Sequence, residues 1–294
     1  MVISEIFTRI KKYGELVMFS HSLFSLPFGL IAMIWASHGL PRLSLIVWIL
    51  IALIAARTAA NGYNRIADRF IDAKNERTAA RHLPAGKIKV AEAYVLVIFS
   101  LAVLAFATYE INLLCLILLP FAIALMLFYS HTKKITWLCH YILGAACACA
   151  PVGAWLAVTG SLTQPCIVPA LVLGAAVCLY VGGFDVLYAT QDIAFDRAEH
   201  LHSIPARFGL KGALIISALS HAGTIVLFTS LFFIMHRGII YAAGVFIAAV
   251  LLAIEHYNVM PENKKKMIFA AYNMNQIVSA VMFVFCAADA FWRV

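Results

Sequence analysis

The chain has 294 residues, of which 64% are hydrophobic and only 12% are charged. A soluble globular domain has about 45–50% apolar and about 25% charged residues, so this composition excludes a soluble protein and predicts a polytopic membrane protein. The formal charge of +8 is compatible with nucleic-acid binding only if the basic residues form a patch, and their positions follow another pattern.

About nine apolar segments are long enough to cross a bilayer, which takes about 20 residues of helix. We therefore expect an all-α integral membrane protein with about nine transmembrane helices, forming a single domain over 1–294. One interpretation divides the domain into diverged four-helix halves, 16–130 and 137–256, followed by a last helix, 271–291. The predicted spans, in chain order, are 16–37, 43–64, 90–109, 111–130, 137–158, 166–188, 212–235, 238–256 and 271–291.

Basic residues divide the connections between these spans into two alternating sets. Lys and Arg are concentrated before the first span and after the second, fourth, sixth and eighth spans, whereas the other connections carry only Arg42 and Arg237. Because Lys and Arg mark cytoplasmic loops, we expect a multi-pass protein of the inner (cytoplasmic) membrane with a cytoplasmic N-terminus. The long loops 65–89 and 189–211 are then cytoplasmic too. This topology explains most of the positive charge, and we expect no nucleic-acid partner.

The second span ends in a stripe of polar side chains, Asn64, Asp68 and Asp72, spaced four residues apart. This spacing places them on one side of a helix, with about 6 Å of rise between neighbours. Acidic residues are costly in a membrane and usually face an internal cavity that serves chemistry or transport. Their oxygen atoms suit a hard cation such as Mg²⁺, which in turn prefers phosphate oxygens. Arg57 lies seven residues before Asn64, on the same face.

Basic residues near this stripe are candidates for binding a phosphate group. Arg77 and Arg81 follow it in the next loop and can donate two hydrogen bonds each to phosphate oxygens. Lys133 and Lys134 follow Tyr129 at the end of the fourth span. The alternative is that these cations only satisfy the topology and that the acids only solvate the end of the helix.

A second stripe, Asp185, Tyr188, Asp192 and Asp196, follows the sixth span at spacings of three and four residues. Such spacings place side chains along one helix face, where three carboxylates would repel one another unless a cation bridged some of them. Two stripes on separate helices therefore predict a divalent cation held between them, binding a diphosphate group.

These residues resemble the two signature regions of the UbiA superfamily of intramembrane prenyltransferases. The resemblance covers nearly the whole chain and implies a ring of nine helices around a cavity that opens sideways to membrane lipid. It implies that a polyprenyl diphosphate gives an allylic carbocation, which alkylates an electron-rich aromatic ring. The ligands that it implies for Mg²⁺ are Asn64, Asp68, Asp72, Asp192 and Asp196; the substrate-binding residues that we expect are His21, Arg57, Arg77, Arg81, Tyr129, Lys133, Lys134, Asp185 and Tyr188.

Three further segments, 19–29, 129–140 and 202–209, are most similar to the branch of 4-hydroxybenzoate polyprenyltransferase-like proteins, especially the prenyltransferase of the futalosine route to menaquinone. The acceptor that this implies is a hydroxylated aromatic acid, either 4-hydroxybenzoate or 1,4-dihydroxy-6-naphthoate, in ubiquinone or menaquinone biosynthesis. The segment His202-Ser203-Ile204 replaces a Lys-Ser-Thr of the hydroxybenzoate enzymes, so the choice between the two acceptors stays open. His21 either contacts the acceptor or packs between helices.

Three other functions compete with this interpretation. A haem farnesyltransferase-like member of the same family shares the first motif, but the second region differs from what that branch implies. A cation-coupled transporter also carries acids in its spans, although transporter sites lie near the bilayer midplane in broken helices, whereas these acids lie at span ends. A structural scaffold would have no use for two acidic stripes.

Overall fold

The computed structural model describes residues 13–17, 26–163, 167–258 and 273–292, and the regular secondary structure of these ranges is entirely helical. Eight helices in the described part of the chain are long and apolar enough to cross a membrane, and a shorter apolar helix, α1, represents the first predicted span. The predicted all-α membrane fold is confirmed. The helices are α1 Leu26–Ala36, α2 Leu43–Lys74, α3 Val90–Ile111, α4 Leu113–Thr132, α5 Cys139–Thr159, α6 Val168–Ala189, α7 Ile193–Ala198, α8 Ile204–Ile234, α9 Ile239–Asn258 and α10 Asn275–Trp292.

Three helix boundaries differ from the predicted spans in ways that affect the polar residues. Helix α2 continues ten residues past the predicted end at 64, so the whole first stripe is helical. Helix α8 begins at Ile204 instead of 212 and is kinked at Gly209, where φ is 69°. Helix α6 ends at Ala189 and is followed by a 3-10 turn, Thr190–Asp192.

The interruption after Ala189 corrects the prediction that the second stripe follows one helix face. The 3-10 turn winds more tightly than an α-helix, with three residues per turn instead of 3.6. Asp185 and Tyr188 belong to α6, Asp192 closes the 3-10 turn, and Asp196 belongs to the short helix α7. Asp196 therefore does not keep the direction that a spacing of four gives in a continuous α-helix, whereas Asp185, Tyr188 and Asp192 still line one cavity.

Helix α6 belongs to the most deeply buried of the candidate spans. Its residues Val177 and Tyr180 are completely buried in a core that includes Phe28 of α1 and Phe228 of α8. A side chain at Gly144 of α5 would collide with the carbonyl group of Cys178 in α6. Small residues at such positions let two membrane helices approach closely, which fixes α5 against α6 and with them the side chains of the site.

Candidate active site

A polar cavity of about 270 Å³ lies at the end of the bundle where α2, α4 and α6 finish, which we term the motif end. Residues of both stripes and of the predicted basic set surround it, so the structure brings together side chains that are more than 100 positions apart in sequence. His21 lies outside the described residues. The predicted site residues that line this cavity are Arg57, Asn64, Asp68, Asp72, Arg77, Arg81, Tyr129, Lys133, Lys134, Asp185, Tyr188 and Asp192.

The first stripe presents its oxygen atoms to the cavity from the last three turns of α2. Asn64 Nδ2 donates to Asp68 Oδ2 at 3.0 Å. The buried carboxylate of Asp72 accepts from Arg81 Nη1 at 2.7 Å and 2.8 Å, and Arg65 Nη1 lies 4.0 Å away. A buried carboxylate is costly unless it is paired and hydrogen-bonded, and Arg81 supplies both.

The loop after α2 crosses the cavity to the second motif. Arg77 donates to Asp192 Oδ1 from Nε at 3.1 Å and to Asp192 Oδ2 from Nη2, while its Nη1 donates to Tyr188 Oη at 2.8 Å. Asn75 Nδ2 donates to the same Asp192 Oδ1 at 3.1 Å. Burial alone would lower the pKa of Arg77, but the hydrogen bonds to Asp192 outweigh it and the pKa is raised. Asn75 was not among the predicted site residues, because an asparagine next to a helix end is also an ordinary loop residue.

Two contacts fix the course of this loop. The Thr78 hydroxyl donates to the carbonyl oxygen of Asp72 at 2.9 Å, which folds the chain back over the end of α2. Farther out, Lys74 Nζ lies 2.6 Å from Glu199 Oε2, where the side chains are 60% and 30% exposed. The loop is thus attached to the second motif by the half-buried Arg77–Asp192 pair, and the end of α2 is attached there by the exposed Lys74–Glu199 pair.

Asp196 is placed apart from the other acids and does not line the polar cavity. Its carboxylate is completely buried, with Oδ1 2.8 Å from Lys133 Nζ and Oδ2 accepting from the Ser203 hydroxyl at 2.7 Å. Burial alone would lower the pKa of Lys133, but Asp196 raises it. Because the 3-10 turn redirects the chain before α7, Asp196 holds Lys133 and the start of α8 instead of joining the other carboxylates.

The donor set of the cavity fits a hard cation that shares its ligands with a bound phosphate. Asn64, Asp68, Asp72 and Asp192 offer carboxylate or carboxamide oxygens, the ligands that Mg²⁺ takes while keeping further positions for phosphate oxygens. Within the described residues, no three Asp, Glu, His or Cys side chains converge closely enough to hold a metal by themselves. Asp72 and Asp192 are instead paired with Arg81 and Arg77.

An apolar cavity of about 340 Å³ adjoins the polar one and is lined by α1 to α5. Arg57, Tyr129, Leu143 and Cys147 line both cavities, so the two meet at these residues. Arg57 lies about 10 Å along α2 from Asn64, at two helical turns, and its Nη1 lies 3.7 Å from Cys147 Sγ. The joined cavities suit a ligand with a strongly anionic head and a long hydrocarbon tail.

Residues 25–283 match the model of the UbiA prenyltransferase family. The chain belongs to this family. Among UbiA relatives, the 4-hydroxybenzoate octaprenyltransferase of Serratia proteamaculans is 28% identical over 275 residues, 91% of this chain and 92% of the relative. The 4-hydroxybenzoate octaprenyltransferase of Yersinia pseudotuberculosis is 27% identical over 266 residues, 88% of this chain and 90% of the relative.

Solved UbiA structures share the fold. The apo structure of a UbiA homologue from Aeropyrum pernix K1 aligns with a TM-score of 0.84 and 30% identity, covering 92% of this chain and 98% of the homologue. A UbiA homologue from Archaeoglobus fulgidus bound to GPP and Mg²⁺ aligns with a TM-score of 0.70 and 20% identity, covering 95% of this chain and 99% of the homologue. The chain is thus a multi-pass membrane prenyltransferase of the UbiA family, which favours an enzyme over the transporter and scaffold alternatives.

Proposed function

We propose that this protein transfers a polyprenyl group from an allylic polyprenyl diphosphate to a hydroxylated aromatic acid, with release of diphosphate and in dependence on Mg²⁺. The observation that carries the proposal is the junction of an acid-lined polar cavity with an apolar cavity at Arg57 and Tyr129. A diphosphate needs the first environment and a polyprenyl tail needs the second. The reactive carbon of the donor lies between head and tail, so it would lie near the junction.

In this proposal, the stripe residues and the cations of the motif end bind the diphosphate group. Mg²⁺, when bound by Asn64, Asp68, Asp72 and Asp192, would stabilise the negative charge that develops on the leaving group. Arg77 and Arg81 would exchange their carboxylate partners for phosphate oxygens, and Lys133 and Lys134 would add positive charge. Asp196 would act by holding Lys133. The Mg²⁺-bound homologue from Archaeoglobus fulgidus supports the choice of metal.

The acceptor would bind at the junction of the cavities. Arg57 is the cation there, inside the membrane-spanning part of α2, and we assign it to the acceptor carboxylate. Tyr129 is partly buried at the same place, where an aromatic face can shield a carbocation from water and stabilise it. Tyr188 supports Arg77 through the hydrogen bond described above.

Relatives named 4-hydroxybenzoate octaprenyltransferase support an aromatic acid as acceptor and favour this function over haem farnesylation. Both 4-hydroxybenzoate and 1,4-dihydroxy-6-naphthoate fit a site with one cation at the junction, and either reaction belongs to respiratory quinone synthesis. The arrangement of basic loops supports a location in the inner membrane with the motif end on the cytoplasmic side.

The function is tested with purified membranes, Mg²⁺ and one long-chain polyprenyl diphosphate. 4-Hydroxybenzoate and 1,4-dihydroxy-6-naphthoate are supplied together, and the prenylated product is identified by mass spectrometry. We expect one acceptor to be prenylated in preference to the other, with no product when EDTA is present. Absence of a prenylated aromatic product from both acceptors would reject the proposal.

A further inference from the structure

A buried histidine contacts the one acid of the second motif that lies deep in the polar cavity. His140, in the first turn of α5, is 2% exposed, and its Nδ1 lies 2.6 Å from Asp185 Oδ2. The Asp185 side chain is 28% exposed and lines the polar cavity beside Leu143, Cys147 and Phe184. Within the described part of the chain, His140 is the one side chain that hydrogen-bonds Asp185.

The backbone fixes which nitrogen of His140 carries a proton. Ile204 is the first residue of α8, where backbone N–H groups lack a partner within the helix, and its N–H donates to His140 Nε2 at 3.3 Å. A nitrogen that accepts this bond carries no proton, so the ring proton is on Nδ1. His140 then donates from Nδ1 to Asp185 Oδ2, and Asp185 is the acceptor. The second oxygen of Asp185 is left for the cavity.

Arg57 and Asp185 lie on different helices, and both line the polar cavity. Arg57 Nη1 lies 3.7 Å from Cys147 Sγ, and Cys147 is one of the residues at which the two cavities meet. Asp185 is held by His140, two helical turns before Cys147 on α5, which is about 10 Å closer to the motif end. An acceptor whose carboxylate binds Arg57 would extend its ring toward the carboxylate of Asp185, while the other acids face the diphosphate.

We propose that Asp185 is the base that takes the proton from the aromatic acceptor and that His140 is a positioning residue that holds its carboxylate. This inference rests on the proposed function. The bond between C1 of the donor and its diphosphate oxygen breaks, and the electron pair leaves with diphosphate. A ring carbon beside the acceptor's hydroxyl bonds to C1, and the hydrogen of that ring carbon passes as a proton to Asp185. The electron pair of the broken C–H bond restores aromaticity.

The base is tested with Asp185→Asn and an acceptor deuterated at the ring positions beside its hydroxyl. Loss of a general base costs about 100-fold or more in rate, so we expect kcat for prenylation of 4-hydroxybenzoate to fall by that factor, with an unchanged KM for the diphosphate donor. The isotope effect of ring deuteration should be larger in the variant than in the wild type, because proton removal has become slow. Wild-type rates in Asp185→Asn, or an equal isotope effect in both proteins, would overturn the assignment.

Two variants of His140 separate positioning from a purely structural role. Asparagine places its amide nitrogen near Nδ1, so His140→Asn keeps a donor to Asp185 and loses the acceptor for Ile204. Glutamine places its terminal group near Nε2, so His140→Gln keeps the acceptor for Ile204 and loses the donor to Asp185. We expect His140→Gln to lower kcat about 10- to 100-fold, the usual effect of losing a group that orients a functional side chain, and His140→Asn to lower it less. If His140→Asn lowered kcat more than His140→Gln, His140 would serve only to cap the start of α8.

A spectroscopic readout tests the geometry independently of turnover. In protein labelled with ¹⁵N-histidine, the His140 signal is identified by its loss in His140→Asn, and its shifts should report a ring protonated on Nδ1. A ring without a proton on Nδ1 would overturn the positioning role. If the wild type prenylates neither acceptor, both the proposed function and the role of Asp185 as the base are rejected. If the wild type is active and Asp185→Asn is equally active, only the role of Asp185 as the base is rejected.

Discussion

The guanidinium of Arg77 donates to both carboxylate oxygens of Asp192, a residue 115 positions farther along the chain. Two parallel hydrogen bonds between charged groups are strong and directional. Arg81 contacts both carboxylate oxygens of Asp72 from the single nitrogen Nη1, so each stripe has one acid that is already neutralised by an arginine. A metal ion that arrives alone must compete with these arginines, whereas a metal that arrives with diphosphate gives them new anionic partners.

Removal of Arg77 should therefore change metal binding and donor binding in opposite directions. In Arg77→Gln we expect Mn²⁺, used as an Mg²⁺ probe in electron paramagnetic resonance, to bind more tightly in the absence of diphosphate. We expect KM for the polyprenyl diphosphate to rise about 10-fold, the value of one hydrogen bond to a charged group. Arg69→Gln is the matched control, because Arg69 bonds the carbonyl group of Ile66 and does not line the cavity. If Arg77→Gln bound both Mn²⁺ and the polyprenyl diphosphate more weakly, the proposed competition between Arg77 and the metal ion for Asp192 would be contradicted.

Asp68 should be needed for turnover and not for folding. It lines the cavity, and Asn64 is its hydrogen-bond donor, so Asp68→Asn removes a proposed metal ligand with little change in packing. We expect a loss of activity of 100-fold or more, since metal ions supply several kcal/mol of charge stabilisation, and an unchanged melting temperature in detergent.

Asp289, a buried carboxylate outside the candidate site, is the control for Asp68. Asp289 of α10 is buried and accepts from the backbone N–H groups of Gly238 at 3.0 Å and Tyr241 at 3.3 Å. Asp289→Asn should lower the melting temperature and leave the activity of the folded fraction near that of the wild type. Loss of stability in Asp68→Asn together with full activity of its folded fraction would contradict the role of Asp68.

A larger side chain at Gly153 should restrict the length of the donor. Gly153 lines the apolar cavity, and a Cβ there meets no atom within 4 Å. Gly153→Leu extends into the space that we assign to the tail, and crowding of a filled site costs about 1–3 kcal/mol. We expect KM to rise about 10-fold or more for octaprenyl diphosphate and much less for geranyl diphosphate. Gly153→Ala is the control and should use both donors normally; an equal effect of Gly153→Leu on the two donors would show that no tail passes this residue.

Gly209 should be required for the stability of the motif end. Its backbone, at φ 69° and ψ −178°, lies in a region that is essentially restricted to glycine and costs other residues about 1–3 kcal/mol. Gly209→Ala should lower the free energy of unfolding by that amount, as measured by thermal denaturation in detergent. Gly153→Ala again serves as control, because an alanine in a helix with free space around it should not destabilise. If Gly209→Ala and Gly153→Ala were equally stable, backbone strain at position 209 in the alanine variant would be contradicted.

The first stripe could be predicted in detail because α2 runs without interruption to Lys74, so the period of 3.6 residues applies to all of it. The second stripe could be predicted only as far as Asp192, because the turn after Ala189 depends on how α6 meets α8. The sequence contains the charged residues of two ion pairs, Lys133–Asp196 and Arg77–Asp192. It does not indicate which acid pairs with which cation. His140 ends the segment 129–140 that resembles one branch of the family, but it was not predicted as a site residue, since its role depends on a contact with the backbone of Ile204, 64 positions away.

The two attachments of the loop after α2 respond differently to salt. Ions screen the exposed contact between Lys74 and Glu199, and such surface pairs contribute about 0–1 kcal/mol, so this outer contact can break and re-form at little cost. The inner contact pairs Arg77, whose side chain is 31% exposed, with Asp192, whose side chain is 8% exposed, so solvent ions screen it less. Added salt should therefore weaken the Lys74–Glu199 contact first, while the Arg77–Asp192 pair and the bonds of Thr78 and Arg81 to Asp72 keep the loop over the end of α2.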